Sequence, residues 1–104
     1  MRRPASDQRP KAIRLAVRRQ GLTTLIAATG ELNRDSTGEL DRVLSTHVRS
    51  GGRVVLDLRA IALIDASGID VLLRAKINAR AAGTDFSLIE GAGVRRVLAL
   101  SSPS

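Results

Sequence analysis

The chain has no cysteine, no tryptophan and no tyrosine, and a single aromatic residue, Phe86. The first absence excludes a disulfide framework and any thiolate metal site. The shortage of aromatic rings argues against tolerant single-strand nucleic-acid binding, which stacks bases on such platforms. One histidine, His47, is too few for an imidazole-rich metal centre, and no carboxylate cluster with ligand spacing accompanies it. Long apolar runs are missing as well. No segment approaches the roughly 18 to 20 residues of a spanning helix, and MRRPASDQRPKAIRL lacks the apolar core of a signal peptide. These absences lead us to expect a cytoplasmic protein with no membrane insertion and no cofactor.

What is present suits one small domain. The 104 residues, 43% of them apolar, are enough to bury a single core without metal or cross-links. The formal charge is +7, but it is unevenly placed. Residues 1–19 hold seven Arg or Lys against Asp7, which leaves the rest of the chain at only +1. A basic tail on a nearly neutral body predicts weak, salt-sensitive attraction to polyanions and no specific nucleic-acid recognition. Residues 1–10, with two prolines and four charged side chains among them, read as a flexible basic arm, and 11–104 as the folded domain.

Periodicity then orders the elements. Ile13, Leu15 and Val17 alternate with Arg14, Ala16 and Arg18, as in a half-buried edge strand. After a turn at Gln20-Gly21, TTLIAATG over residues 23–30 forms its hairpin partner. From Arg34 to Val48 the period becomes helical, with Leu40, Val43, Leu44 and Val48 on one face. Ser36 and Glu39 fit a capping box, and Asn33 is an alternative cap one turn earlier. Ser50-Gly51-Gly52 ends this helix, and RVVLDLR follows as a strand buried on both faces, with Asp57 as its oddity. A second helix over residues 67–82 is predicted to bury Ile69, Leu72, Leu73 and Ile77. TDFSLIE then gives a strand, and residues 93–100 a last helix. The order β-β-α-β-α-β-α predicts an α/β fold, a mixed sheet with right-handed crossovers.

Few residues converge for catalysis. Ser67 and His47 with an acid would make a triad only by tertiary accident, because neither lies in a nucleophile turn. Gly91-Ala92-Gly93 resembles the start of a dinucleotide-binding turn but has Arg96 where the third glycine belongs, so a glycine turn serving the last helix is the better reading. The chain is not expected to be an enzyme. The informative stretch is LIDASGIDVLL, residues 63–73, where a strand meets a helix. Unpaired N–H groups of a first helical turn favour an acceptor or negative charge, so Asp65 or Ser67 fits a cap and Gly68 relieves crowding. An exposed hydroxyl there also suits phosphorylation, since the helix start tolerates the added charge while a partner surface changes sharply.

At this joint the sequence resembles the STAS family, named for sulfate transporters and anti-sigma factor antagonists. VVLDLRAIALIDASGIDVLL, residues 54–73, is similar to that family's V-L-D-L strand, linker and D-S-S-G or D-S-T-G helix start. TLIAATGELN, residues 24–33, resembles the strand ending in G-E-L-D, with Asn33 at the place of the usual Asp. AAGTDFSLIEGAGVRRVLAL resembles the glycine, strand and final helix that follow. The resemblance spans about residues 11–100. It implies a STAS-like mixed sheet with helices packed mainly on one face. It also implies an anti-sigma factor antagonist, monomeric when free, that binds an anti-sigma factor with serine kinase activity and so releases a sigma factor. Phosphorylation of the antagonist blocks that binding and a serine phosphatase restores it.

The usual acceptor follows the Asp directly, and that position is Ala66; Ser67 matches the next one. The resemblance therefore leaves three outcomes: phosphorylation at Ser67, binding without this control, or adaptation to a different partner, as in a STAS adaptor subunit of a transport or stress-sensing complex. The expected docking surface comprises Asp65, Ala66, Ser67, Gly68, Ile69, Asp70 and Arg74, with Glu31 and Asn33 from the neighbouring turn. Asp70 and Arg74, four residues apart, also fit a plain surface ion pair.

Overall fold

The computed structural model describes residues 13–49 and 51–101. The arm predicted for residues 1–10 and Ser50 of the first helix end lie outside them. The elements are β1 (Ile13–Gln20), β2 (Thr23–Leu32), α1 (Thr37–Val48), β3 (Arg53–Ile64), α2 (Ala66–Ala82), β4 (Asp85–Ile89) and α3 (Ala92–Ser101), in the order the periodicities predict. The four strands form one sheet in the order β1-β2-β3-β4. β1 and β2 are an antiparallel hairpin, whereas β3 pairs parallel with both β2 and β4. The turn is one residue later than expected, at Gly21-Leu22, because Gln20 pairs with Thr23.

One face of the sheet carries the core. Ile26, Ala28, Val54, Leu56 and Leu58 are buried with Leu40, Leu44 and Val48 of α1 and Val71, Leu72, Ala75 and Ala79 of α2. On the opposite face Leu25, Ala27, Val55 and Asp57 are only half-buried and Arg14, Ala16 and Arg18 are exposed. The alternation of a one-sided sheet accounts for this division. α3 adds Val94 to the core.

β3 is longer than the seven residues expected, and irregular. It has 12 residues against 10 in β2, and the ladder absorbs the difference in two places: Ala27 pairs with Asp57 but Thr29 with Ala60, and Gly30 pairs with Ile61 but Glu31 with Leu63. Each extra residue is a bulge that moves the following side chains to the other face. The buried positions accordingly change spacing, from Val54, Leu56 and Leu58 to Ile61 and Ile64, and Leu63 is left 64% exposed. Asp57, on the open face, is held in a fork by Arg59: Nε donates to Oδ1 at 3.0 Å, Nη2 to Oδ2 at 2.8 Å, and the Arg59 backbone N–H to Oδ1 at 3.0 Å. These donors hold its carboxyl below the ordinary aspartate range.

The rotation of α2 differs from expectation. Its buried side is Gly68, Ile69, Val71, Leu72, Ala75 and Ala79, while Leu73 and Ile77 are 52% and 67% exposed. Small residues decide this: Gly68, Ala75 and Ala79 at i, i+7 and i+11 give a narrow face that approaches the sheet and α1 closely, and a stripe drawn through the largest apolar side chains is turned away from it.

The capping box at α1 is also absent. Ser36 makes no side-chain cap bond to the helix; its hydroxyl donates to the Glu31 carbonyl at 2.8 Å and accepts from the Asn33 N–H at 3.0 Å. At the other end of α1, buried Thr84 donates to the Val48 carbonyl at 2.6 Å and accepts from the Gly51 N–H at 3.1 Å, joining the helix end to the approach to β4. Gly91 meets β3 closely, because a Cβ there would lie 3.0 Å from the Arg59 Cα and carbonyl oxygen. The glycine before α3 thus serves helix-to-strand packing.

Candidate functional site

Two neighbouring parallel strands end together. Leu32 of β2 pairs with Ile64 of β3, so Asn33 and Asp65 leave the sheet side by side, each leading into a helix. The Asp65 N–H donates to the Leu32 carbonyl at 3.1 Å, which carries the ladder one step past the strands. This carboxyl end of a parallel pair is where α/β folds expose loop groups above a rigid base.

Asp65 is the N-cap of α2. Its backbone is extended (φ −112°, ψ −174°) and its Oδ1 accepts from the Gly68 N–H at 3.1 Å, satisfying one of the unpaired donors of the first turn. Gly68 is buried and packed directly on the end of β2. A Cβ at this position would lie 2.7 Å from the Leu32 Cγ and 2.8 Å from the Ile64 Cγ1. The reason for this glycine is close helix-to-strand approach.

With the cap assigned to Asp65, the Ser67 hydroxyl is left uncommitted. It makes no hydrogen bond to another described residue, is half-buried, and leaves no buried unpartnered atom. Ala66, the first residue of α2, is exposed, as is Asp70 one turn on. Asp70 and Arg74 form an exposed ion pair at 3.5 Å, of the kind that contributes little to stability.

The second wall is the turn from Glu31 to Ser36, locked by its own bonds. Asn33 Oδ1 accepts from the Asp35 N–H at 2.9 Å and the Ser36 N–H at 3.2 Å, and its Nδ2 donates to Glu31 Oε1 at 3.4 Å. The Asn33 carbonyl accepts from the N–H groups of Ser36 and Thr37 at 3.0 Å. Asn33 therefore holds the turn that leads into α1, while the N-cap position itself is Ser36. Glu31, Arg34 and Asp35 remain exposed beside it.

The structure thus brings Glu31 and Asn33 together with Asp65, Ala66 and Ser67 at one end of the sheet, and extends the surface down α2 through Asp70 and Arg74. Gly68 and Ile69, the latter 8% exposed, shape it from beneath. Leu63 was not among the expected residues although it is exposed at the rim; its signal is hidden by the second bulge, which no alternation rule anticipates. His47 lies in the last turn of α1, at the far end of that helix. Among the described residues no group of three or more His, Cys, Asp or Glu is placed to hold a metal ion, and no helix is long and apolar enough to cross a membrane. The arrangement offers surface, charge and one free hydroxyl.

Comparison with known proteins agrees with this geometry. The family profile described as Mlab, STAS domain matches residues 15–102. The structure is similar to an anti-sigma factor antagonist from Mycobacterium paratuberculosis, at 20% identity over 89% of this chain and 80% of that one, with a TM-score of 0.78. It is similar to an antisigma-factor antagonist STAS domain from Rhodobacter sphaeroides, at 18% identity over 75% and 86% of the two chains, TM-score 0.65. It is also similar to the Bacillus cell fate determinant SpoIIAA in its phosphorylated form, at 17% identity over 86% and 84%, TM-score 0.67. At such identities the likeness concerns the fold. No curated protein matches the chain. The profile match, covering most of the chain, and the shared fold agree: this chain belongs to the STAS domain family.

Proposed function

We propose that this STAS domain is an anti-sigma factor antagonist, which binds an anti-sigma factor with serine kinase activity and thereby frees a sigma factor for transcription. The observation that carries the reading is the joint of β3 and α2. Asp65 caps the helix, so the exposed face of Ala66, the Ser67 hydroxyl and Asp70 are presented on a rigid base beside the Glu31–Asn33 turn. The structural neighbours named as anti-sigma factor antagonists support it. The domain binds and switches and performs no chemistry of its own, in the cytoplasm and as a monomer when free. A serine phosphatase acts on it only if it is phosphorylated.

A second reading has its own observation. Ala66 stands at the acceptor position implied by the resemblance, and it has no hydroxyl. A STAS adaptor subunit of a transport or stress-sensing complex, docking through the same end without phosphate control, fits that substitution.

Affinity capture of the protein from its source cell, with the bound protein identified and incubated with ATP, separates the readings. An ATP-dependent serine kinase that also binds a sigma factor supports the antagonist. A transport or sensing component without kinase activity supports the adaptor. Phosphate on Ser67, or none in this loop, agrees with the proposed geometry; phosphate on Ser36 or Thr37 contradicts it.

A further inference from the structure

The edge of the sheet formed by β1 is guarded by charge alone. Edge strands are commonly blunted by proline, bulges, shortness or charged side chains. β1 has only the last of these: its eight residues, IRLAVRRQ, pair with β2 without interruption from Ile13–Gly30 to Gln20–Thr23, and the strand order leaves its outer side without a neighbour among the described residues. A regular strand of this kind presents alternate N–H and C=O groups for one more strand.

The two rows of side chains on β1 specify what such a strand would carry. On the open face Arg14 and Arg18 are exposed on either side of Ala16, and neither has an ion-pair or hydrogen-bond partner among the described residues. On the helix face Ile13 is buried and Leu15 half-buried, but Val17 is 42% exposed, although Ile26 opposite it is wholly buried. The core therefore runs out sideways at Leu15 and Val17, while the other face ends in unpaired guanidinium groups.

We infer that the β1 edge receives an extended segment of a partner protein in which carboxylates alternate with apolar side chains. Such a segment places its acids against Arg14 and Arg18 and its apolar row over Leu15 and Val17, completing both faces at once. A second copy of β1 would set arginines against arginines, and like charges directly across a ladder are unfavourable. The first twelve residues, MRRPASDQRPKA, carry four bases, one acid and two prolines, so their composition does not supply alternating acids. This surface lies away from the joint of β3 and α2, and the inference does not rest on the function proposed for that joint.

The test uses the full chain and a blocked synthetic peptide alternating Glu and Val, matched to the eight residues of β1. Amide shifts and hydrogen exchange are followed by NMR. We expect saturable binding, with shifts and added protection confined to β1 and its hairpin partner. The double substitution Arg14→Glu with Arg18→Glu should weaken it by about tenfold or more, as loss of two charge-assisted contacts implies. A Lys and Val peptide should fail on the native chain and bind the charge-reversed one. Absence of saturable binding, equal binding of both peptides, protection at α2 instead, self-association through β1, or binding only after deletion of residues 1–10 would each overturn the inference. Ala66→Asp should leave peptide binding unchanged, which separates this edge from the loop site.

Discussion

A side-chain carbon on Gly68 would stand 2.7 Å from the Leu32 Cγ and 3.0 Å from the Leu32 carbonyl oxygen. The start of α2 and the end of β2 are therefore in backbone-to-side-chain contact, and the docking loop is seated on the core. Gly68→Ala must push α2 outward or displace both Leu32 and Ile64. We predict a loss of about 1 to 3 kcal/mol in stability, the cost of overpacking, read as a lowered urea midpoint at constant slope.

Asp65→Ala removes the acceptor for the Gly68 N–H and should cost about 0.5 to 2 kcal/mol. Asp65→Asn keeps an acceptor oxygen and should cost less. Equal losses for the two variants would mean that the cap is not what holds this turn.

Ala66→Asp adds a negative charge to an exposed position at a helix N-terminus, where it is tolerated or mildly stabilising. Folding should be unchanged while partner capture falls sharply, because the charge projects from the proposed contact surface. Ala66→Ser should create a second acceptor if the captured partner is a kinase that docks in the manner proposed; binding without labelling would contradict that docking geometry.

The exposed Leu73 and Ile77 give a sharp contrast with the buried Leu72. Leu72→Ala should cost about 2 to 5 kcal/mol. Leu73→Lys and Ile77→Lys should each stay within about 0.5 kcal/mol of the native protein, as surface substitutions do. Chemical denaturation of the three variants checks the rotation of α2 directly.

Asp57 makes stability depend on acid pH. Its folded-state pKa is depressed, chiefly by the side-chain hydrogen bonds from Arg59, below the ordinary value of 3.8. Folding therefore favours the carboxylate. Its stabilising contribution is complete above that value and is lost as the pH falls through the depressed folded-state pKa. The stability difference between the native protein and Asp57→Asn should be constant near neutrality and shrink below about pH 3.8. A difference that persists unchanged into strong acid would contradict the charge-based account.

Much of the candidate site is visible in the sequence because it is local. A strand-to-helix joint with Asp, Ser and Gly at its head announces a capped helix whatever the fold around it, and Asn33 before a helical period announces a turn into a helix. Leu63 and the free Ser67 hydroxyl are not local facts. Leu63 is exposed because the two bulges in β3 move side chains from face to face, and Ser67 is free because Asp65, and not Ser67, occupies the N-cap of α2. The capping box at Ser36 failed for a similar reason: Glu31 and Asn33, brought round by the tight turn, offer that hydroxyl better-placed partners.

The sequence by itself determined the order of elements, the hairpin and the C-terminal ends of α1 and α2, since these follow from the two periods of hydrophobic spacing and from residues that stop a helix, whereas α1 begins at Thr37 and not at Arg34. It also determined where the charge lies. The tertiary structure decided which face of α2 is buried, the register of β3 against β2, and the meeting of Asn33 with Asp65 at one end of the sheet. These depend on how closely elements approach, and closeness is governed as much by small residues such as Gly68, Ala75 and Ala79 as by the large apolar ones that a pattern of hydrophobicity counts.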